Sequence, residues 1–368
     1  ALRSALGDLV ARHESLRTRF VAVDGAPVQI TDPAPDPRPL TATPTHPDQV
    51  PEALAAAATR PFDLAADPLL RAELLRLGPA EHVLLLCTHH IVADGWSAGV
   101  LLDELATLYT DPEAPLPDLA VQPADHAVWQ RARLAEDVLD KQLGYWRERL
   151  HALPQLDFPT DRPRGTAAGH PGATVELRLQ DGIGASLRAL ADTERASLLS
   201  VVMAGFLLVL SRHSGQDDIG IGSVLYGRDR PELEPLVGYF ANTVVLRADL
   251  AGNPTFRELA HRCELAVRGA TDHQDLRFST LVEQLRPARE PGRNPLFQIS
   301  LTLHADETAA AGPAFGPVTA EPLPVTGSVA RFDLAAHATV TADGGLRLQA
   351  EYATDLFDED RMTRLLEH

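Results

Sequence analysis

The chain has 368 residues, of which 45% are hydrophobic and 23% charged, and its formal net charge is −18 at pH 7. This balance is that of a globular protein with enough material for two lobes, and it excludes a disordered, collagen-like or coiled-coil chain. The negative charge disfavours nucleic-acid and membrane-surface roles, because phosphate backbones and anionic lipids would be repelled.

The chain has two cysteines, Cys87 and Cys263, which are far apart and show no C-x-x-C spacing. A disulfide framework or a structural zinc site is therefore not expected, and the predicted location is a reducing cytoplasm. No apolar run approaches the roughly 20 residues of a membrane-spanning helix. Because the chain begins at Ala1 without an initiator Met or a signal peptide, we expect it to be a segment of a larger protein.

Periodicity and turn residues divide the first half of the chain into helices and one pair of strands. Eight prolines between Pro27 and Pro51 indicate an extended surface segment rather than a helix. Gly78-Pro79-Ala80 separates two apolar runs, which predicts a turn between strands. The predicted elements in chain order are helices at 2–20 and 51–60, strands at 69–77 and 82–88, and helices at 96–109 and 125–150.

A stretch rich in proline and glycine, Pro154 to Gly172, is the best candidate for a domain boundary. We therefore predict an N-terminal lobe at 1–160, a linker at 161–172 and a C-terminal lobe at 173–368. Strands and helices alternate irregularly beyond the boundary, which favours a mixed α/β (α+β) class. The elements predicted there are helices at 183–193, 197–213, 255–273 and 279–285, and strands at 173–179, 218–224, 243–250, 296–304, 332–341 and 346–352.

The stretch His89-His90-Ile91-Val92-Ala93-Asp94-Gly95 carries the strongest chemical signal, because it follows an apolar strand and precedes a helix. Loops at strand ends hold catalytic groups on a rigid scaffold. If the strand geometry persists, His89 and His90 point to opposite faces and only one serves the substrate. A buried Asp94 needs a cationic partner, for which Arg12 and Arg17 are candidates, while Gly95 allows a sharp turn.

Three other interpretations of this stretch stay open on spacing alone. The two histidines can be a structural pair, with Asp94 capping the following helix. Gly95-Trp96-Ser97-Ala98-Gly99 also matches the G-x-S-x-G nucleophile elbow, although a polar loop separates it from the strand. A metal held by His89, His90 and Asp94 is disfavoured, because opposed histidines chelate poorly and no second ligand cluster is evident.

The pattern His89-His90-x-x-x-Asp94-Gly95 resembles the HHxxxDG signature of the condensation domains of nonribosomal peptide synthetases, and further blocks resemble that family in the same order. These blocks are Arg12–Phe20, Arg60–Leu64, Pro68–Arg71, Tyr145-Trp146, Pro159–Pro163, Gly227-Arg228, Pro231–Leu233, Val237–Thr243, His273–Leu276, Pro295–Gln298, Arg331–Leu334 and Glu351–Phe357.

The resemblance implies a fold of two chloramphenicol-acetyltransferase-like lobes in a V, with the active-site tunnel between them. It implies an acyltransferase of antibiotic-type secondary metabolism that forms an amide between a donor acyl or peptidyl thioester and the α-amine of an acceptor aminoacyl thioester. Donor and acceptor peptidyl carrier proteins would present both substrates on 4'-phosphopantetheine, beside neighbouring synthetase domains. No intrinsic cofactor, metal, nucleic acid or membrane is expected.

By the same resemblance, His90 is the catalytic residue, acting as a base or as the group that positions the amine. His89, Asp94, Gly95, Arg12 and Arg17 would support the active site, and Trp96, Ser97 and Asn242 would line the tunnel. For Trp96, a role as a large apolar anchor of the helix start is favoured over contact with the substrate.

The first block and the residues after Asp94 look more like the subtype that accepts an L-configured donor. Residues that usually precede the first block are not present, so we expect the N-terminal lobe to be incomplete. Alternative functions are an epimerization domain of the same superfamily, a non-catalytic recruitment module, and a serine thioesterase built on the elbow pattern. A heterocyclizing member would need an aspartate in place of His89.

Overall fold

The computed structural model describes residues 1–34, 40–134, 136–165, 170–179, 182–287, 290–305, 315–323, 329–341 and 344–368. The chain folds into two compact units: unit 1 comprises Ala1–Ala132, Arg228–Ala241 and Ala311–Val325, and unit 2 comprises Arg133–Gly227, Asn242–Ala310 and Thr326–His368. This division differs from the predicted lobes, because the first change of unit falls at 132 rather than near 160. Two later segments also return to unit 1, which a linear division cannot anticipate.

Unit 1 contains two small sheets and four helices in its described part. Strands β1 and β2 form an antiparallel hairpin, while β3 pairs parallel to β4 and β4 pairs antiparallel to β5. The elements are α1 (Leu2–Arg12), β1 (Thr18–Val23), β2 (Ala26–Thr31), β3 (Leu40–Pro44), α2 (Val50–Thr59), β4 (Leu70–Arg76), β5 (His82–Thr88), α3 (Gly95–Thr110) and α4 (Pro123–Arg133), with 3₁₀ turns at Glu14–Arg17, Pro47–Gln49 and Pro231–Leu233.

The opening stretch is shorter as a helix than its periodicity predicts. Helix α1 ends at Arg12, and the remaining residues form a 3₁₀ turn and strand β1. The proline-rich segment is also not simply extended, because β2, β3 and a 3₁₀ turn lie within it. Its residues 35–39 lie outside the described residues. The strand pair at 70–76 and 82–88 is confirmed, as is the helix that follows the histidine motif.

The core of unit 1 forms where the apolar face of α1 meets α3 and strand β4. Leu6, Leu9, Leu70 and Leu105 are buried there with at most 1% of their surface exposed. Burying such side chains contributes about 1.5–3 kcal/mol each, so this packing anchors α3 against the sheet. This packing fixes the start of α3 and therefore also the position of the histidine motif, which directly precedes the helix.

Unit 2 is built on one seven-stranded mixed sheet of order β10-β6-β12-β11-β9-β7-β8. In that sheet, β9 runs parallel to both β11 and β7, whereas the other neighbours are antiparallel. The elements are α5 (Glu136–Arg149), β6 (His170–Arg178), α6 (Ile183–Glu194), α7 (Leu198–Ser214), β7 (Asp218–Leu225), β8 (Asn242–Asp249), α8 (Phe256–Asp272), α9 (Phe278–Leu285), β9 (Ile299–Ala305), β10 (Val329–Ala330), β11 (Leu334–Val340), β12 (Leu346–Ala353) and α10 (Glu359–Glu367).

Helices α7, α8 and α10 pack against this sheet and close the larger core. Their ends carry ordinary stop and start signals: Ser197 caps α7, a Thr255–Glu258 capping box begins α8, and Gly215 ends α7 with φ 72°. The helices predicted in this half are confirmed within two residues. The strands predicted near 296 and 332 begin later, at Ile299 and Leu334, and α10 is a helix that the sequence pattern did not predict.

Among the described residues, no single helix is long and apolar enough to cross a membrane. One pair, α6 with α7, meets the length and composition criterion jointly but is bent by 109°.

Candidate functional site

The histidine motif forms a tight turn at the end of β5, within unit 1. Strand β5 stops at Thr88, and the backbone amide of Val92 donates to the carbonyl of His89 at 3.0 Å. The strand geometry therefore does not continue through the motif, and the expected placement of His89 and His90 on opposite strand faces is wrong. The turn, rather than strand alternation, separates the two rings.

His90 is exposed and has one defined hydrogen bond. Its Nδ1 lies 2.6 Å from the carbonyl oxygen of Ala93. Because a carbonyl can only accept, Nδ1 carries a proton, and in the neutral imidazole the lone pair is then on Nε2. The edge-to-face contact with the Tyr239 ring, 5.0 Å between centroids at 89°, holds the imidazole in this orientation. The Nε2 atom of His90 is thus the free end of the ring, and the described residues provide no hydrogen-bond partner for it.

His89 serves the turn itself. Its Nδ1 accepts the backbone amide of Ile91 at 3.1 Å, and its ring makes an edge contact with Phe62 at 5.8 Å. The guanidinium of Arg71 covers the Phe62 ring at 3.7 Å. These contacts hold the His89 ring in place on the side of Phe62. This fits the expectation that only one of the two histidines is available to a substrate.

Asp94 caps helix α3 and is fully buried. Its Oδ1 accepts the amide of Ser97 at 2.9 Å, which satisfies a donor at the helix start. Arg228 pairs with it, with Nη2 3.1 Å from Oδ1 and Nη1 3.4 Å from Oδ2. The exposed fractions of these two side chains are 0% for Asp94 and 2% for Arg228. The structural interpretation of Asp94 as a helix cap is therefore confirmed.

Backbone amides complete the surroundings of Asp94. Its Oδ2 accepts from the amides of Phe240 and Ala241 at 3.1 and 3.3 Å. Burial lowers the pKa of Arg228 and the Asp94 charge raises it, but the guanidinium remains a cation at neutral pH. The Phe240 ring lies 4.5 Å from that guanidinium. We call Asp94, Arg228 and these amides the Asp94 clamp, since together they tie α3 to the segment Arg228–Ala241.

The cation for Asp94 is neither Arg12 nor Arg17, so that expectation is wrong. Arg12 donates to Glu104 at 3.1 Å, and Arg17 donates to the carbonyl of Asp32 at 2.6 Å. Packing of α1 against α3 brings Arg12 to Glu104 on α3, while Arg17 lies beside the end of the β1–β2 hairpin. Arg12 still supports the site indirectly, because Glu104 lies on α3.

Ser97 is buried rather than exposed, which contradicts both its expected place in a tunnel wall and the elbow pattern. Its hydroxyl oxygen lies 2.8 Å from Asp94 Oδ1 and 2.9 Å from the carbonyl of Gly238, and it accepts the amide of Gly238 at 3.1 Å. None of its surface is exposed. A nucleophile must reach its substrate, so Ser97 is a structural member of the Asp94 clamp.

Trp96 and Gly95 lie at the start of α3. Trp96 is 41% exposed and its indole nitrogen donates to the carbonyl of Glu234 at 2.9 Å, so the side chain is anchored at one edge with much of its surface accessible. Its role toward a substrate stays a prediction. Gly95 is the first helical residue and is not one of the residues with positive φ, so the sharp turn expected there lies instead at residues 89–92.

Asn242 lies in unit 2, where its carboxamide holds a loop. Its Nδ2 donates to the carbonyls of Gln274 and Leu276, each at 2.8 Å, and its Oδ1 accepts the amide of Phe278 at 3.2 Å. All three partners are backbone groups, so the contacts observed for Asn242 are structural. Lining of a tunnel by this residue stays a prediction.

The described residues contain no group of three His, Cys, Asp or Glu side chains arranged to hold a metal ion. The oxygens of Asp94 are already occupied by Arg228, Ser97 and backbone amides. A metal bound by His89, His90 and Asp94 is therefore inconsistent with this arrangement.

Two residues of the site, Arg228 and Tyr239, were not assigned a role from the sequence. Both lie in blocks that resemble the family, Gly227-Arg228 and Val237–Thr243. Their presence in these blocks was the signal in the sequence that could have pointed to a role in the site. A side chain at Gly238 would force the Phe240 ring to shift, because a Cβ there would lie 2.6 Å from it.

The model of the condensation domain family matches residues 1–368. The dimodular nonribosomal peptide synthase of Bacillus subtilis (strain 168) is 41% identical over 393 residues, which cover 100% of this chain and 16% of the relative. The chain is also 42% identical to the probable non-canonical nonribosomal peptide synthetase CymA of Salinispora arenicola (strain CNS-205), of which it spans 5% of the length. The chain is thus a small part of the length of both relatives.

Two solved structures are also similar over the whole chain. The X-domain from teicoplanin biosynthesis has a TM-score of 0.86 at 32% identity and is covered to 84%. The first condensation domain of the CDA synthetase has a TM-score of 0.80 at 22 to 23% identity and is covered to 85%, which shows a shared fold. The predicted mixed α/β class with a chloramphenicol-acetyltransferase-like fold is confirmed, while the V and its tunnel stay predictions.

The family match spans all 368 residues, which include the His90 turn and the residues of the Asp94 clamp. The chain belongs to the condensation domain family of nonribosomal peptide synthetases.

Proposed function

We propose that this domain catalyses amide formation between a donor acyl or peptidyl thioester and the α-amine of an acceptor aminoacyl thioester. Carrier proteins would deliver both substrates on phosphopantetheine arms. The amine nitrogen forms a bond to the thioester carbonyl carbon, the carbon–sulfur bond breaks, and the proton lost by nitrogen ends on the leaving thiolate. The protein needs to orient the two substrates and manage that proton.

The observation that supports this proposal most is the exposed Nε2 of His90. The hydrogen bond from Nδ1 to Ala93 leaves Nε2 able to accept a hydrogen bond or a proton from the attacking amine. General-base catalysis contributes about 10²–10⁴-fold. Holding the two reactants in attack geometry contributes roughly 7–11 kcal/mol, so positioning is the larger effect for an activated thioester.

The decisive experiment compares wild type with His90→Ala using loaded donor and acceptor carrier proteins, with the product measured by mass spectrometry. We expect amide formation to fall about 10²–10⁴-fold. His82→Ala is the matched control, since His82 is an exposed histidine at the start of β5. A His90→Ala rate equal to wild type would contradict the catalytic assignment.

An epimerization domain would use the same histidine to exchange an α-proton. Incubating a loaded donor carrier in deuterated water without acceptor separates the two reactions. Amide formation predicts no α-deuterium in the donor residue, whereas epimerization predicts its uptake.

We further propose an L-configured donor, on the resemblance of the first block. A matched pair of L- and D-donors in the same assay tests this.

A second candidate is recruitment of another enzyme without catalysis. It is favoured by the similarity to the X-domain from teicoplanin biosynthesis, which is also known in complex with OxyB. The exposed His90 favours catalysis, because a pure docking surface does not need an oriented imidazole. A folded protein that forms no amide with any donor–acceptor pair, yet binds a separate enzyme, would establish recruitment instead.

The proposed partners are donor and acceptor carrier proteins and neighbouring synthetase domains, supported by the much greater length of the relatives. Cytoplasmic location is proposed as well, because Cys87 and Cys263 are both free thiols, as expected in a reducing compartment.

A further inference from the structure

Tyr239 combines an exposed side chain with a backbone that the Asp94 clamp holds in place. The residue is 52% exposed. On one side of it, the amide of Gly238 donates to the Ser97 hydroxyl at 3.1 Å, and the carbonyl oxygen of Gly238 lies 2.9 Å from the same hydroxyl. On the other side, the amide of Phe240 donates to Asp94 Oδ2 at 3.1 Å. Buried groups therefore fix the chain on both sides of residue 239, while the side chain itself projects from this support.

The Tyr239 side chain contacts the imidazole of His90 through its ring. The ring centroids are 5.0 Å apart and the planes meet at 89°, which is a geometry that aromatic pairs favour. Within the described part of the chain, the Tyr239 hydroxyl has no hydrogen-bond partner. The contact with His90 is therefore a contact of the two rings and does not depend on the polar group of the tyrosine.

His90 needs this second contact, because one hydrogen bond restrains an exposed imidazole only weakly. The bond from Nδ1 to the carbonyl of Ala93 competes with water, and such a bond favours the bonded orientation by about 2- to 10-fold. An edge-to-face ring pair adds a further factor of about 2 to 10. The hydrogen bond acts at one ring atom and the ring pair acts on the plane of the imidazole, so together they fix the direction of Nε2.

Both restraints on the imidazole originate at the Asp94 clamp. The carbonyl of Ala93 belongs to the peptide bond that precedes Asp94. Tyr239 directly precedes Phe240, whose backbone amide donates to the Asp94 carboxylate. The carboxylate does not need to touch His90, because the backbone on either side of the imidazole is attached to it. A displacement of residue 239 would move the ring that restrains His90.

We propose that Tyr239 is a positioning residue for the reaction: its ring holds the imidazole in the orientation that the Asp94 clamp sets and keeps Nε2 of His90 directed at the reacting amine. This inference rests on the proposed function. The ring produces the effect, and the hydroxyl does not. Because attack geometry dominates the reaction of an activated thioester, a misdirected imidazole lowers turnover without weakening the binding of either substrate.

Tyr239→Leu replaces the ring by an aliphatic side chain and tests the proposal with loaded donor and acceptor carrier proteins. We expect kcat for amide formation to fall about 2- to 10-fold, with the KM for either carrier protein changed less than about twofold. Tyr239→Phe keeps the ring and should recover the rate to within about twofold of wild type. Phe256→Leu removes a partly exposed ring at the start of α8 and is the matched control, which should leave kcat unchanged.

A double-mutant cycle with His90→Ala separates positioning from direct contact with the substrate. If Tyr239 acts through the imidazole, Tyr239→Leu has no further effect on the rate in the His90→Ala background. An equal loss in both backgrounds, or an increase in KM, would identify Tyr239 as a substrate contact and overturn the positioning role. A wild-type rate in Tyr239→Leu, or a Tyr239→Phe variant as slow as Tyr239→Leu, would also contradict the proposal.

The orientation of the imidazole can be measured without the reaction, by ¹H–¹⁵N spectra of histidine-labelled protein at a pH where the ring is neutral. The signals of His90 are identified by their absence in His90→Ala. Wild type should show one tautomer with its proton on Nδ1, and Tyr239→Leu should show a mixture with the Nε2 tautomer. Unchanged His90 signals in Tyr239→Leu would overturn the positioning role. If wild type forms no amide but these signals change as expected, the proposed function is contradicted and the orientation of His90 by Tyr239 is upheld.

Discussion

Two buried carboxylates, Asp94 in unit 1 and Glu264 in unit 2, hold the start of a helix in different ways. Asp94 caps α3 and pairs with Arg228, which lies 134 residues away and whose side chain is 2% exposed. Glu264 accepts the amide of Ser197 at 2.7 Å and the hydroxyl of Ser200 at 2.8 Å at the start of α7. Its cation, Arg268, is one turn along α8 and 64% exposed.

The two arginine partners differ in their exposure to solvent, and this determines how much each contributes to holding its carboxylate. Water can replace much of the interaction with an exposed guanidinium, so Arg268 adds little to Glu264. A buried guanidinium has no such substitute, and its removal leaves an uncompensated charge. The Glu264 arrangement is therefore a local helix-to-helix contact, whereas the Asp94 clamp joins distant parts of the chain behind the His90 turn. Three measurements test this contrast.

Arg228→Ala should have the largest effect. It leaves Asp94 buried without a cation, and we expect the free energy of unfolding of unit 1 to fall by about 3–5 kcal/mol. Urea unfolding followed by tryptophan fluorescence measures this, because Trp96 and Trp129 lie in unit 1. Amide formation should fall as well, since the clamp holds the start of α3 next to the His90 turn.

The double variant Asp94→Asn with Arg228→Met is the control for that interpretation. It removes both charges together, so it should recover part of the stability lost in Arg228→Ala. A loss below about 1 kcal/mol in Arg228→Ala would contradict the claim that the buried pair holds the clamp.

Glu264→Gln should have an intermediate, pH-dependent effect. Burial by itself would raise the pKa of Glu264, but hydrogen bonds from Ser197, Ser200 and Arg268 outweigh it and lower the pKa from 4.5 to about 2. A depressed pKa stabilises the folded state above the unfolded value, and this contribution is lost as the pH falls from 4.5 through about 2. We expect Glu264→Gln to lower the free energy of unfolding by about 1–3 kcal/mol at pH 7.

The same comparison at pH 3 should show the gap between wild type and Glu264→Gln reduced by about half or more. Urea titrations of both proteins at the two pH values supply the four free energies. An equal gap at pH 7 and pH 3 would show that the carboxylate charge does not provide the stabilisation.

Arg268→Ala should have the smallest effect. Its guanidinium is mostly solvent-exposed, and exposed ion pairs contribute roughly 0.2–1 kcal/mol. The expected change in the free energy of unfolding is therefore at most about 1 kcal/mol, several times less than for Arg228→Ala. Similar losses of unfolding free energy in Arg228→Ala and Arg268→Ala would contradict the claim that Asp94 depends on its arginine more than Glu264 does.

Local patterns predicted most helices and strands, because burial on one face imposes the period of 3.6 or 2 on the sequence. The hairpin of β1 and β2 was missed although Asp24-Gly25 signals it. These residues have φ 52° and 79°, the left-handed values of a type I′ turn. The surrounding prolines and the helical spacing of the preceding leucines concealed that signal.

The turn and the helix cap at Asp94 could be anticipated from the order and spacing of the motif, since a short turn before a helix is a local structure. The resemblance to the family motif predicts His90 as the catalytic residue, and that role stays a prediction. The partner of Asp94 was not readable, because an ion pair depends on which distant backbone segments are brought together. Arg12 and Arg17 are nearer in sequence and equally charged, yet they bind Glu104 and Asp32. Arg228 pairs with Asp94 because residues 228–241 belong to unit 1, while the packing of α1 against α3 places Arg12 beside Glu104.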